Sequence, residues 1–389
     1  MKDSIRQLVD MESRMERLVA NMHEQNLAAE PGKHTPKRYS MKEAADLVGR
    51  SYTAIREAEK SGALKNPEMG ENNRRLGYTL ADINAARDHF GTRMRRDRDH
   101  DECIRLAFAN FKGGSAKTTS AVHAAQYLAQ AGLEVLLVDA DPQASATATM
   151  GYIPDNDIDE DETLLPYLEG ARADLSYAIR STYWPGMDLI PANLQVYSAE
   201  YFMASEASTV ALQRLRTGLE SVESRYDVIV LDPPPSLGMI SLSVMNASNA
   251  IVIPSPAASY DLYSTRAFLK MLVETLESLD QLGMSIDFKF VRMLITRLDE
   301  NSEIQSGLAE SLPNFLGVSL IRSAVRKSAA LDRAGMYGRT IYEMTVENMP
   351  RKTWNRALNH FNRANEEILT LIRKSWPTHA VEMRAAAEI

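Results

Sequence analysis

The sequence predicts an α/β protein built on a doubly wound, mostly parallel sheet, preceded by a smaller helical domain. Two observations carry this. Short apolar runs at 104–109, 135–138, 226–231, 251–256 and 290–296 alternate with helix-forming stretches such as 121–131 and 209–221. Strands that are apolar on both faces need helices on both sides, which is the doubly wound arrangement. In addition, three of the runs end in polar or glycine-rich chemistry, where open parallel sheets gather their ligands.

The first run leads into Phe111-Lys112-Gly113-Gly114-Ser115-Ala116-Lys117-Thr118-Thr119 and then into a helix. Strand, glycine-rich loop, Lys-Thr and helix make the phosphate-cradling unit of P-loop NTPases. Gly113 and Gly114 let the backbone fold tightly, so that its N–H groups point inward. The helix start adds partial positive charge. Lys117 reaches the outer phosphates, and the Thr118 hydroxyl is placed for Mg²⁺. Ala116 stands where such loops usually have glycine, and Lys112 is an additional lysine at the loop's start.

The second run closes with Asp139-Ala140-Asp141-Pro142-Gln143, the third with Asp232-Pro233-Pro234-Pro235. A single acidic strand end serves equally as a helix cap. Together with the loop, the three ends bring a lysine, a hydroxyl and three carboxylates to one place.

Lys112 to Thr119 resembles the deviant Walker A box of the ParA/MinD ATPases, marked by the early lysine. VDADPQAS (138–145) resembles their A′ box, and VLDPPPS (230–236) their Walker B and switch region. The resemblance spans about 104–371. It implies an Mg²⁺-dependent ATPase, with ATP held by residues 113–119, and Thr118, Asp139 and Asp232 around the metal. It also implies Asp141 orienting the attacking water, and Lys112 reaching a partner subunit's phosphates as an arginine finger does.

In chain order, residues 1–25 read as a helix whose Leu8, Met11, Met15, Leu18 and Met22 alternate spacings of three and four. That is an a/d seam. A helix of this kind must bury its seam, and pairing with a second copy (a dimerisation helix, 1–30) is the favoured reading over packing on its own chain. Pro31, Gly32 and Pro36 mark a linker.

Ser40 and Glu43 form a capping box before one helix, Gly49 makes a turn, and Ser51 caps a second helix. A hairpin or wing follows at 72–79, then a helix at 80–90. The order resembles winged helix-turn-helix domains of the MerR type (31–100). In that resemblance Ser51, Tyr52, Thr53 and Arg56 face a DNA major groove, while Arg74 and Arg75 lie on the wing. The stretch 31–100 holds 15 Lys/Arg against 10 Asp/Glu in a chain of net charge −8, so nucleic-acid binding needs this local surface. Arg93, Arg95, Arg96 and Arg98 read equally as a solvated linker.

The domain 101–376 ends in an amphipathic helix at 351–374, and 377–389 reads as a loose tail. The loop with Arg322, Arg326 and Lys327 matches the region that contributes sequence-independent DNA contacts in ParA proteins.

Of 389 residues, 44% are hydrophobic, ample for a core. The one cysteine, Cys103, excludes an internal disulfide and suits a reducing cytoplasm. No apolar stretch approaches 18 residues.

The resemblance therefore implies a plasmid or replicon partition ATPase. Its ATP-bound homodimer would coat the nucleoid without sequence preference and be released by a ParB-type centromere-binding protein. It would repress its own operon through the helix-turn-helix. RepA of repABC replicons is a close variant. A repressor with a vestigial ATPase and a MinD-like membrane-cycling ATPase are the alternatives. The latter is disfavoured by the poor apolar content of 383–389.

Overall fold

The computed structural model describes residues 3–26, 37–70, 73–206, 209–284, 286–345 and 349–387. The helical part comprises α1 (Asp3–Asn26), α2 (Met41–Val48), α3 (Tyr52–Lys60) and α4 (Leu80–Phe90). The α/β part begins with β1 (Ile104–Phe108), α5 (Lys117–Ala131), β2 (Val135–Asp139) and three short helices, α6 (Ser145–Thr149), α7 (Pro154–Asp157) and α8 (Leu165–Leu168). It continues with β3 (Arg180–Ser181), β4 (Met187–Ile190), α9 (Ser198–Glu206), α10 (Thr209–Val222), β5 (Val228–Asp232), α11 (Met239–Ala247) and β6 (Ala250–Pro256). Then follow α12 (Ser259–Gln281), β7 (Phe290–Thr296), α13 (Glu303–Leu316), β8 (Leu320–Ile321), α14 (Ala329–Met336), α15 (Arg351–Ser375) and α16 (Pro377–Ala387).

The eight strands form one sheet in the order β3-β4-β2-β5-β1-β6-β7-β8. All pairings are parallel except β3 with β4 at the edge. β1, β2 and β5 are buried along their whole length, as central strands covered on both faces must be. One core lies between the sheet and α5 and α15. A second lies on the opposite face, against α10, α11 and α12. The predicted doubly wound class is therefore the observed one. The order reverses at β1, so the loop after β1 opens at a switch point, flanked by the ends of β2 and β5.

Ser40 caps α2 with the full box to Glu43, and Gly49 ends α2 at φ 71°, a left-handed turn suited to glycine. Ser51 caps α3 through its bond from the Ala54 N–H. The predicted hairpin or wing is a short antiparallel turn-back, Gly70 donating to Arg74 O at 2.8 Å and Leu76 to Glu68 O at 2.9 Å. The described part shows only single bridges, Met69 with Arg75 and Tyr39 with Tyr78, and residues 71–72 lie outside the described residues.

Two further expectations are corrected. Two of the four linker arginines are clamps, while Arg95 and Arg98 stay exposed as a solvated linker would have them: buried Arg96 donates to the carbonyls of Tyr226 (2.9 Å), Glu223 (2.7 Å) and Asp101 (2.9 Å). Arg93 donates to Gly132 O at 2.9 Å and pairs with Glu134. Residues 377–387 are helical, and the start of that helix is docked. Trp376 is fully buried, donating to Glu102 O at 2.9 Å, and Thr378 bonds Asp101.

Candidate nucleotide site and nucleic-acid surfaces

The loop between β1 and α5 is fixed from outside. Asn110 donates to Pro254 O (2.9 Å) and accepts the Lys112 N–H (3.1 Å). The Phe111 ring stands edge-on to Phe268, centroids 4.6 Å apart. Outward carbonyls of the loop are also held: the Thr296 hydroxyl donates to Ser115 O at 2.9 Å and Arg297 Nη1 to Gly114 O at 3.0 Å. A loop whose carbonyls face out presents its N–H groups inward, the arrangement an oligophosphate needs.

Ala116 adopts φ 68°, ψ 34°. A residue with a Cβ pays roughly 1–2 kcal/mol for this conformation, so the sequence departure from glycine is a strained backbone of the same shape. Ala116→Gly should keep nucleotide binding and change stability by no more than about 1 kcal/mol, because strain relief and greater unfolded-state freedom offset each other. Nucleotide titration and thermal melting measure both. Lost binding would show that the methyl group itself is needed.

Lys117 is 7% exposed at the first turn of α5. β2, β5 and β1 are adjacent and parallel, so the strand ends that lead to Asp141, Asp232 and the loop before Lys117 lie side by side; burial lowers the Lys117 pKa, while Asp232 and Asp141 act to raise it. Asp139 and Asp232 stand side by side in register, both fully buried. Burial raises the pKa of each, and the adjacent carboxylates raise it further. Neither oxygen of Asp232 has a hydrogen-bond partner of normal geometry, although the Thr118 hydroxyl lies close enough to favour its ionised form. An orphaned buried carboxylate beside a threonine hydroxyl fits a divalent cation. Among the described residues no group of three or more His, Cys, Asp or Glu is arranged to hold a metal alone. Mg²⁺ takes few protein ligands and completes its shell with phosphate oxygens and water.

Asp139 is a correction. Its oxygens accept the Thr147 N–H and hydroxyl (both 2.8 Å) and the Asp141 N–H (3.2 Å). The Thr147 hydroxyl in turn accepts the Ala192 N–H at 2.9 Å. The carboxylate anchors α6 and the turn after β2 instead of facing a metal. Asp141, 7% exposed, accepts the Gln143 N–H at 2.9 Å, which fixes its orientation at the mouth of the cleft. Lys112 forms an ion pair with Asp261 in the first turn of α12, so within one chain it does not point into its own loop.

A cavity of about 350 Å³ adjoins the loop, lined by Ala116, Thr119, His123, Arg297 and Lys327 among others. His123 ties the site to the C-terminal helices. Its Nδ1 bonds Thr119 O (2.7 Å), its Nε2 accepts the Ile341 N–H (3.1 Å), and its ring stacks on Phe361 at 4.0 Å. Burial pushes its pKa down to about 4, so it is neutral near pH 7.

On α3, Ser51, Tyr52, Thr53 and Arg56 are exposed together, while Ile55 and Ala58 pack inward. Arg74 is exposed. Arg75 has another occupation: it pairs with buried Glu59 at 2.9 Å, and the Tyr78 hydroxyl donates to the same carboxylate at 2.6 Å. Arg322 and Lys327 are exposed. Their loop is anchored by Glu367, which accepts the Arg322 and Ser323 N–H groups at 2.8 and 2.9 Å.

Arg326 and Arg356 both pair with Glu300, which joins the loop to a stripe that sequence reasoning missed. Arg351, Lys352, Arg356 and Arg363 are exposed along α15, opposite its buried Ala357, Phe361 and Ala364. No acidic residue occurs in α15 before Glu366. That run of unopposed bases was the available signal. Cations at a helix start are disfavoured by the dipole, so helix stability does not account for them.

Fold and cleft together define a P-loop nucleotide-binding protein of the α/β class. A family profile described as an AAA domain matches residues 104–284. The chain is 37% identical over 352 residues to Protein SopA of Escherichia coli (strain K12), covering 87% of this chain and 90% of that protein. It is 32% identical over 355 residues to the Putative replication protein A of Rhizobium rhizogenes, covering 87% and 88%. A solved structure titled "Partition Protein" shares the fold over 94% of this chain and 98% of its own, with TM-score 0.66 at 18% identity. The chain belongs to the ParA family of plasmid partition ATPases.

Proposed function

We propose that the protein is an Mg²⁺-dependent ATPase whose ATP-bound homodimer binds DNA without sequence preference. On this reading it also occupies an operator through α3, and a ParB-type centromere-binding partner triggers hydrolysis. The observation that carries the reading is the cleft in which Lys117, Asp141 and Asp232 meet the glycine-rich loop. Residues 113–119 cradle the phosphates, and Lys117 neutralises the outer ones. Thr118 and Asp232 hold Mg²⁺, which supplies charge neutralisation of the phosphates when bound. Asp141 orients water toward the terminal phosphate.

Lys112 leaves Asp261 and reaches the partner's phosphates, so hydrolysis requires two facing subunits. Leu8, Met11, Met15 and Leu18 on α1 are 50–62% exposed, which supports their burial against a second copy; the side chain of Met22 lies outside the described residues. No helix among the described residues is long and apolar enough to cross a membrane. The protein then works in the cytoplasm, on the nucleoid. Random DNA meets Arg322, Lys327 and the α15 stripe, and the operator meets Ser51, Tyr52, Thr53 and Arg56, with Arg74 beside them.

The test compares operator and random DNA in Mg-ATP and Mg-ADP. Random DNA should bind in ATP alone, with strong salt dependence. Arg56→Ala should weaken operator binding about tenfold or more and leave random DNA unchanged. Equal loss on both DNAs would remove α3 as the reader. Random binding indifferent to nucleotide would remove the switch.

A further inference from the structure

Among the described residues, four other than glycine adopt positive φ: Asn73, Ala116, Ala144 and Arg297. The three in the α/β domain lie in the connections after β1, β2 and β7: Ala116 and Ala144 immediately precede α5 and α6, and Arg297 directly follows β7. Strained backbone persists where surrounding structure over-determines it, and it gathers at functional sites. Ala116 and Ala144 are short. Arg297, at φ 51° directly after β7, is a long cation in the same conformation.

The strain at Arg297 is enforced from its neighbour. Leu298 donates its N–H to Val325 O (3.2 Å) and accepts the Lys327 N–H (2.9 Å). Thr296, fully buried, is pinned to Ser115 O. With both flanks fixed, residue 297 takes the turn, and its side chain is thrown over the glycine-rich loop. Nη1 then donates to Gly114 O at 3.0 Å. Gly114 is itself at φ 74°, and a Cβ there would meet that same guanidinium nitrogen at 3.5 Å. The side chain is solvent-exposed overall, and its recorded polar contact is that carbonyl.

We infer that Arg297 is a positioning residue for ATP binding: its guanidinium holds the Gly114 carbonyl outward and so keeps the Gly114–Ser115 peptide turned with its N–H toward the phosphates. This rests on the ATP reading above and adds a residue outside the three sequence boxes. The carbonyl of a phosphate loop competes with its N–H for the inward direction. A charge-assisted bond on the outer side settles that competition before nucleotide arrives. The strain is then tolerated for binding and contributes nothing to folding.

Arg297→Gly separates the two. Glycine takes φ 51° without penalty, so the thermal midpoint should stay or rise. Mg-ATP affinity, measured by calorimetry on the full chain, should fall about tenfold, the worth of one charge-assisted bond. In turnover assays KM should rise by more than kcat falls, and Arg297→Lys should recover part of the affinity. Unchanged affinity in Arg297→Gly, or a midpoint that falls along with it, would overturn the inference. If the wild-type chain binds no ATP in the same titration, the ATPase reading fails instead, which is a different result.

Discussion

Lys117→Ala should abolish measurable nucleotide binding. The ammonium is nearly buried, and the groups around it are acidic: Asp232 with no well-formed partner, and Asp141 at the cleft mouth. With the lysine gone, the outer phosphates would lose the buried ammonium nearest to them, while Arg297 and Lys327 remain in the adjoining cavity. Truncating one member of a desolvated charge pair costs about 2–5 kcal/mol, so affinity should drop by about thirtyfold to several thousandfold. The fold should survive, because the buried carboxyls already lean toward their neutral forms and take up protons when the cation leaves. Calorimetry with ATP, beside circular dichroism of the same sample, gives both readings. A folded variant that keeps wild-type affinity would remove the P-loop claim.

Asp141→Ala should hold ATP and fail to cut it. Of the two aspartates after β2, Asp139 is committed to Thr147 and the turn, while Asp141 stands at the cleft with its orientation set by the Gln143 N–H. Removing a positioned group that acts on the attacking water costs about 10²–10⁴ in rate. Removing a negative charge near the triphosphate leaves ground-state affinity equal or higher. Phosphate release under saturating Mg-ATP measures the first and nucleotide titration the second. Unchanged turnover would assign the water to another group.

The sheet and its cleft were legible because both are written locally. Each apolar run is one strand, and the loop, the A′ box and the Walker B box each sit within a few residues of a strand end. What the sequence hid is long-range. Arg96 looked solvated among its neighbouring aspartates, yet its partners are carbonyls 127 and 130 residues further on. Residues 377–387 looked loose, since nothing nearby in sequence announces that Asp101 and Glu102 wait for Thr378 and Trp376.

Arg75 and Asp139 have internal partners that the sequence hid for a related reason. A charged side chain in a motif position reads as a ligand-binding group, yet each also bonds a buried internal partner, Glu59 and Thr147. Arg297 carries no motif at all. Its significance lies in a dihedral angle and a contact with a loop 183 residues earlier. The α15 stripe was within reach. Its bases share one face and meet no acidic residue within the helix before Glu366, but an amphipathic pattern draws the eye to the apolar face.

The central claim is that this cleft grips an intact triphosphate and that Asp141 starts its cleavage. The most direct measurement is to load full-length Asp141→Ala with ATP and Mg²⁺, strip free nucleotide by rapid gel filtration, and identify what remains on the protein. Close to one uncleaved ATP per chain is the predicted result. Recovery of ADP, or of no nucleotide, would contradict it.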